Sequence, residues 1–172
     1  MFHEWDSFYL LIGSAAGALI GLLFVVTTLT ERVDRDSATR GERVYMTPTV
    51  FHFAMVLVIS AMALTPHLSV KAAGLIIGAC ALVVLVYATA VSVQLAKGKI
   101  VPNEVPHWSD FWFYGVAPTV IYLGLLVAAV AVWTDAPCAP YDVAVTMLIL
   151  LLASIRNAWD LVTWLVPHET KD

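Results

Sequence analysis

Four stretches of this chain are long enough and apolar enough to cross a lipid bilayer. A membrane-spanning helix needs about 20 mainly apolar residues to cross about 30 Å of hydrocarbon. Residues 8–30, 72–96 and 111–134 contain no Asp, Glu, Lys or Arg. Residues 44–65 also lack these residues and contain one histidine, His52. Each of the four stretches therefore predicts a membrane-spanning helix.

A fifth stretch, residues 143–166, is interrupted by the sequence "RNAWD", which contains Arg156, Asn157 and Asp160. Its uncharged part before Arg156 is too short to cross the bilayer alone. We therefore predict that the helix continues through the charged residues. The predicted fold class is an all-α, polytopic integral membrane bundle of five transmembrane helices in a single domain, residues 1–172. Four spans with an interfacial fifth helix are the alternative.

The composition indicates the same class of protein. Hydrophobic residues make up 60% of the 172-residue chain, charged residues make up 13%, and the mean hydropathy is +0.84. Soluble domains contain about 45–50% apolar and about 25% charged residues, so a soluble fold of this size would leave much apolar surface in water. The net charge of −4 excludes a nucleic-acid-binding protein that depends on a basic surface.

Basic residues are distributed unequally between the two sides of the predicted bundle. On the side of the N-terminus, the connections contain one basic residue, Lys71. Cytoplasmic connections are enriched in Lys and Arg, so we predict a multi-pass protein of the bacterial inner membrane with its N-terminus outside and its C-terminus in the cytoplasm. The N-terminal "MFHEWDSFY" lacks the features of a cleaved signal peptide, so the first helix is expected to be retained. The basic residues of the other side are Arg32, Arg35, Arg40, Arg43, Lys97, Lys99 and Lys171.

The connections between the predicted helices leave no room for a folded soluble domain. The sequence also contains no Gly-rich phosphate-binding loop. Cys80 and Cys138 are expected at different depths, too far apart for a disulfide, and neither has metal-site spacing. We therefore expect no cofactor and no metal. An intramembrane enzyme is the least favoured class, because His52 and Asp160 alone make neither a nucleophile nor a metal centre.

Polar residues inside the predicted helices are the candidate functional residues. A charged side chain at the bilayer centre costs about 2.5–3.5 kcal/mol, so Arg156 and Asp160, four residues apart on one helix, are expected to neutralise each other. Asn157 shares nearly the same helix face. A rise of about 1.5 Å per residue puts these residues and His52 in the cytoplasmic half. Together with Thr49 they predict a polar layer or ion path there. A structural ion pair at a wet helix end is the alternative.

Glycines spaced four residues apart predict close helix packing in the outer half of the bundle. Gly13, Gly17 and Gly21 fall on one face of the first predicted helix, and Gly74 and Gly78 fall on one face of the third. Small residues at this spacing let helix backbones approach closely in lipid. We therefore predict a bundle that is tightly packed towards the outside and polar towards the cytoplasm.

The order of three sequence segments resembles a group of small bacterial multi-span membrane proteins. The segments are "WDSFYLLIGSAAGALIGLLFVV", "TPTVFHF" and "RNAWDLVTW", with an Arg-rich connection after the first. Some proteins of this group carry the label modulator of FtsH protease. The resemblance implies a membrane-protein partner whose activity the chain adjusts. It implies no catalytic or binding residue, because it rests mainly on the hydrophobic pattern of the first helix and the start of the second.

Two functional classes follow from these observations. The first is a homo-oligomeric cation or proton channel or transporter, in which His52 and Asp160 titrate, Arg156 favours the ionised carboxylate of Asp160 and Asn157 orients a water molecule. The second is a non-catalytic modulator or assembly subunit that docks on a larger membrane complex, such as a protease, through its small-residue face. In both classes the lipid bilayer surrounds the chain.

Overall fold

A computed structural model describes residues 2–30, 47–96 and 111–165, and within these ranges the chain is helical and contains no strand. The predicted all-α fold class is therefore confirmed for this part of the chain. A single 3-10 turn at His3–Trp5 precedes the first helix, and a π-helical segment at Phe111–Val116 precedes the fourth. The helices are α1 (Asp6–Thr30), α2 (Thr47–Ala63), α3 (Val70–Ala96), α4 (Ala117–Trp133) and α5 (Ala139–Leu165).

Four of these five helices are long enough and apolar enough to cross a membrane, namely α1, α3, α5, and α4 together with its π-helical segment. The predicted continuation of the last helix is confirmed, because α5 runs unbroken through Arg156 and Asp160. The shorter helix is instead α2, whose apolar part is Pro48–Ala63. Residues 44–46 of the predicted second span lie outside the described residues. The basic connections that predict the orientation also lie mostly outside them.

Prolines and two positive φ angles mark the short turns between helices. Pro66 and His67 lie between α2 and α3, where the φ angle of His67 is 59°. Asp135, with a φ angle of 56°, lies between α4 and α5 shortly before Pro137. Proline in a helix interior removes a backbone hydrogen bond, and a residue with positive φ commonly ends a helix. The end of the bundle with these turns and the start of α1 is hereafter the turn end.

The helices form two antiparallel hairpins, α1–α2 and α3–α4, and α5 joins them by packing against α2 and α4. The rings of Trp5 and Tyr141 lie 4.9 Å apart, so α1 and α5 both begin at the turn end. The opposite end contains Arg156 and the π-helical segment, and is hereafter the Arg156 end. Large side chains fill the core between the helices, among them Tyr9, Phe53, Val56, Ile59, Ile77, Leu125, Met147 and Leu150, all 0% exposed.

The outer surface of the bundle is apolar, as expected for a protein in lipid. Leu11, Val83 and Val127 are 68%, 65% and 69% exposed, and a large apolar surface of this kind is rare on soluble monomers. Trp112 and Trp133 bound the span of α4 and are both exposed. Their separation corresponds to about 31 Å of helix at 1.5 Å per residue, close to the thickness of the hydrocarbon core. The chain is thus a membrane protein with transmembrane-capable helices.

Pro118 leaves one carbonyl of the π-helical segment before α4 without a backbone donor. Proline has no backbone N–H. In a π-helix the carbonyl of residue i accepts a hydrogen bond from the N–H of residue i+5, so Pro118 leaves the carbonyl of Phe113 without that donor. The amide Nδ2 of Asn157 on α5 donates to the Phe113 carbonyl instead, at 3.1 Å. A sequence irregularity in α4 therefore creates a polar contact with α5.

Candidate functional site

The centre of the bundle contains a hydrogen-bonded pair of His52 from α2 and Tyr122 from α4. The Nδ1 atom of His52 lies 2.9 Å from the hydroxyl oxygen of Tyr122. His52 is 3% exposed and Tyr122 is 0% exposed. α2 and α4 are not close neighbours in the bundle, and the side chains of His52 and Tyr122 reach from one helix to the other. We call His52 and Tyr122 the central pair.

The central pair lies near the middle of the membrane-spanning length. Tyr122 is ten residues after Trp112 and eleven before Trp133, the two residues that bound the span. At 1.5 Å per residue it is therefore about 15 Å from either end. His52 lies at the same depth because the two side chains are in contact.

Tyr122 lets His52 keep its hydrogen bond in both protonation states. A neutral imidazole has one nitrogen that donates and one that accepts, whereas the imidazolium donates from both. The phenol hydroxyl can donate to Nδ1 of neutral His52. When Nδ1 carries the proton, the phenol oxygen can accept from it. The hydrogen bond is therefore compatible with both the neutral and the protonated imidazole.

Further buried polar groups extend from the central pair towards the Arg156 end. Thr49 lies one turn before His52 on α2 and is 0% exposed. Ser154 on α5 is also 0% exposed, and its hydroxyl donates to the carbonyl of Leu150 at 2.7 Å. Asn157 follows one turn later on α5 and is 1% exposed. Buried polar residues on α2 and α5 thus occupy the half of the bundle between the central pair and the Arg156 end.

At the Arg156 end, Arg156 joins two side chains of α5 to the π-helical segment. Its Nη1 atom lies 3.0 Å from Oδ2 of Asp160 and 3.4 Å from Oδ1 of Asn157. Its guanidinium carbon lies 3.3 Å from the centroid of the Phe113 ring, a cation–π contact. The side chains of Arg156 and Asp160 are 35% and 40% exposed. The ion pair is therefore partly exposed and lies beside the π-helical segment that begins the span of α4.

Asn157 ties α5 to the π-helical segment in two ways. Its side-chain amide donates to the carbonyl of Phe113, and its own backbone carbonyl accepts a hydrogen bond of 3.1 Å from the hydroxyl of Tyr114. Tyr114 is 6% exposed. These hydrogen bonds join α5 to the π-helical segment and satisfy backbone groups for which lipid offers no partner. The contacts of Asn157 are therefore sufficient to explain an amide inside an apolar helix.

The structure groups the predicted polar residues into two separate sets. Arg156, Asn157 and Asp160 form one connected cluster at the Arg156 end. His52 instead bonds with Tyr122, and among the described residues no hydrogen bond or ion pair links His52 with Asp160. Within the same residues, no group of three His, Cys, Asp or Glu side chains is placed to hold a metal ion.

Sequence reasoning did not identify Tyr122, Tyr114 or Phe113. A signal for Tyr122 is nevertheless present, because its phenol lies in the middle of the apolar sequence "PTVIYLGLLV", where lipid offers no hydrogen-bond partner. The same reasoning selects Tyr9 in the first helix. No comparable signal identifies Phe113, because its carbonyl accepts a hydrogen bond from Asn157 within a π-helical segment that the sequence does not predict.

The predicted packing glycines differ in how closely other helices approach them. A Cβ atom on Gly74 would lie 2.8 Å from the backbone nitrogen of Trp133, and one on Gly13 would lie 2.8 Å from Cβ of Ser60. A Cβ on Gly78 would lie 3.6 Å from Ala129, an ordinary contact. On Gly17 it would be 4.0 Å from the nearest atom, and on Gly21 it would meet nothing within 4 Å.

Comparison with protein-family models, with curated proteins and with solved structures found no match for this chain.

Proposed function

We propose that this chain is a small transport protein of the inner membrane that moves protons across the bilayer through the central pair. The observation that carries the proposal is the hydrogen bond between His52 and Tyr122 at the middle of the membrane-spanning length. Ionisable residues within a membrane are costly and are commonly part of ion or proton pathways. Histidine is also the side chain whose ordinary pKa is closest to neutral pH.

A proton suits this core better than a hydrated cation does. The side chains next to His52 on α2 are large and fully buried, among them Phe53, Val56 and Ile59 at 0% exposure. A hydrated ion would require these side chains to separate, whereas a proton can pass between hydrogen-bonded groups and single water molecules. The central pair is complete within one chain, so proton transfer through it requires no second copy. Homo-oligomers remain compatible with this arrangement.

The cluster at the Arg156 end is the proposed cytoplasmic mouth of the route. Asp160 is partly exposed there, and Arg156 balances its charge. The buried hydroxyls of Ser154 and Thr49 lie between this mouth and the central pair. The basic connections predicted from the sequence support a cytoplasmic location for this end.

The test is proton flux into proteoliposomes that contain a pH-sensitive dye, driven by a potassium diffusion potential. The informative variant is His52→Gln, because glutamine can bond to Tyr122 but cannot carry a proton at neutral pH. We expect the wild-type protein to acidify the vesicles and His52→Gln to lose at least nine-tenths of the flux.

The matched control is His67→Gln, the same chemical change at an exposed histidine in the turn before α3, and it should retain the wild-type flux. A potassium or sodium flux measured in the same vesicles separates protons from other cations. Absence of proton flux in the wild-type protein, or equal flux in His52→Gln, contradicts the proposal.

A second candidate is the modulator that docks on a larger membrane complex, which the surface of α1 favours. Only 22% of the most apolar window of α1 is buried in the bundle. Gly21 is exposed, and a Cβ there would meet nothing within 4 Å. Loss of function on Gly21→Leu, with His52→Gln fully active in cells, would favour this candidate over proton transport.

A further inference from the structure

Two buried hydroxyl groups in the turn half of the bundle have no hydrogen-bond partner within the part of the chain that the structure describes. They are the Oη atom of Tyr9 on α1 and the Oγ atom of Ser60 on α2. Tyr9 is 0% exposed and Ser60 is 1% exposed. A buried hydroxyl without a partner is costly, and a native protein seldom leaves one without a partner or a water molecule.

Ser60 differs in this respect from the other small hydroxyl residues of the bundle. Serine and threonine in membrane helices commonly donate to a carbonyl three or four residues earlier. The residues that do so here include Thr65, Thr89, Thr119, Thr146, Ser154 and Thr163. Ser60 makes no such bond although the carbonyl of Val56 is one turn before it. Its hydroxyl is therefore available for a ligand.

Ser60 lies in the interface between α1 and α2, and Tyr9 lies on the face of α1 that packs there. Gly13 on α1 faces Ser60 so closely that a Cβ on the glycine would lie 3.4 Å from the Ser60 Oγ atom. Tyr9 lies one turn before Gly13 and therefore on the same face of α1. Its ring is held by edge-to-face contacts with Phe2 and Phe8, at 5.6 and 5.3 Å. The phenol is thus fixed among apolar groups on the side of α1 that faces α2.

We propose that Tyr9 and Ser60 bind internal water and form a buried hydration site between α1 and α2. Each hydroxyl supplies one donor and two acceptor positions, which match the few polar partners that a buried water molecule needs. Neither hydroxyl is charged, so nothing at the site balances a cation or an anion. Water is the ligand that fits two neutral hydroxyls in an apolar interface.

The hydration site extends the proposed proton route beyond the central pair, and this role rests on the proposed function. Ser60 lies eight residues after His52 on α2, about 12 Å nearer to the turn end. Thr49, His52, Val56 and Ser60 recur at spacings of three or four residues and are all buried on one face of α2. The apolar side chain of Val56 separates the central pair from the hydration site. This apolar side chain would limit the leakage of protons along the route.

The melting temperatures of two variants that each lack one hydroxyl test whether the site binds water. Tyr9→Phe keeps the ring and its aromatic contacts, and Ser60→Ala removes one atom. If water binds there, each change removes a hydrogen bond and lowers the melting temperature in detergent by about 2–4 °C. If no water binds to the hydroxyls, each change removes an unsatisfied polar group and raises the melting temperature.

Ser154→Ala is the matched control, because it deletes an equally buried hydroxyl that has a partner. We expect Ser60→Ala to change stability in the same direction as Ser154→Ala. A rise in melting temperature for either Tyr9→Phe or Ser60→Ala overturns the hydration site.

Proton flux tests the role of the site separately. With the central pair intact, Ser60→Ala should lower the flux at least threefold. Unchanged flux in Ser60→Ala overturns its place on the route. Absence of flux in the wild-type protein overturns the proposed function, and the melting temperatures still decide hydration.

Discussion

Single residues explain how this chain tolerates polar groups in its interior. His52 and Tyr122 each provide the hydrogen bond that lipid cannot supply to the other. The side-chain amide of Asn157 donates to the carbonyl of Phe113, which Pro118 cannot do because it has no N–H. At the Arg156 end, the guanidinium is shared among a carboxylate, an amide and an aromatic face. Each of these polar residues has a hydrogen-bonding or charged partner, either on another helix or within one turn of its own helix.

The central pair predicts a coupling between two substitutions. Tyr122→Phe leaves Nδ1 of His52 without a partner, so it should lower the free energy of unfolding by about 1–3 kcal/mol. His52→Leu should have a comparable cost. The double variant replaces both partners by apolar groups and should cost less than the sum of the two. Unfolding of the four proteins in mixed micelles measures the coupling, and strict additivity contradicts a direct bond.

The ion pair of Arg156 and Asp160 predicts unequal effects of its two members. Both side chains are more than one-third exposed, and such pairs contribute about 0.2–1 kcal/mol. Asp160→Asn should therefore reduce stability by less than about 1 kcal/mol and preserve expression. Arg156→Gln should cost more, because it also removes the contact with the Phe113 ring. Unfolding in detergent measures both, and loss of assembly in Asp160→Asn would indicate a buried pair instead.

The helices differ in how much of their surface the bundle uses. α4 has the most buried spanning segment, at 44%, and α1 has the least, at 22%. α4 lies between α3 and α5 and carries Tyr122, whereas α1 packs mainly against α2 at the edge of the bundle. A helix in the middle of the bundle positions the central pair, and a helix at the edge exposes its small residues to lipid.

The glycines of α3 and α1 provide a matched test of helix packing. Gly74→Ala places a methyl group 2.8 Å from the backbone nitrogen of Trp133, which no rotamer change can relieve. We expect a loss of about 1–3 kcal/mol from overpacking. Gly21→Ala meets nothing within 4 Å and should leave stability unchanged or raise it by about 0.5–1 kcal/mol through helix propensity. Thermal unfolding compares the two, and equal losses would indicate that Gly21 is packed against another molecule.

At the scale of the whole molecule, the two ends of the bundle differ in chemistry. The turn end has short connections and exposes Trp133 and Tyr141. The Arg156 end carries the ion pair and exposes Trp112 and Trp159. Exposed aromatic residues at both ends fit the two interfaces of a bilayer. The difference in charge between the ends is the basis of the proposed orientation.

Cys138 offers a direct measurement of that orientation. It is exposed at the turn end, between α4 and α5. In a Cys80→Ser background, a membrane-impermeant maleimide added to intact cells should label Cys138 if the turn end is outside. Labelling only after the cells are opened would contradict the proposed orientation.

The pH dependence of this labelling follows from a neighbouring carboxylate. A hydrogen bond with Asp142 raises the pKa of the Cys138 thiol, and the thiolate is the reactive form. The labelling rate at neutral pH should therefore be lower than that of a free thiol and should increase as the pH rises. Asp142→Asn should increase the rate at neutral pH. An unchanged rate in Asp142→Asn would show that the carboxylate does not act on the thiol.

The class of the protein and the approximate positions of its helices were predictable from local properties of the sequence. An uncharged apolar stretch of about 20 residues predicts a membrane-spanning helix because its length and polarity are local properties of the chain. The continuation of α5 through Arg156 and Asp160 was predictable for the same reason, since these charges lie four residues apart on one helix and can neutralise each other. Thr49, His52 and Asn157 were recognisable as candidates because a polar group in lipid always needs a partner.

The partner of each polar group, by contrast, depends on how the helices pack against one another. His52 bonds with Tyr122, 70 residues away in sequence, and the depth of that pair depends on how α2 and α4 are offset along the bundle. The Phe113 carbonyl that Asn157 binds lies in a π-helical segment, where Pro118 cannot donate to it. Offsets and rotations between helices are set by many packing contacts together, so no single stretch of sequence specifies them.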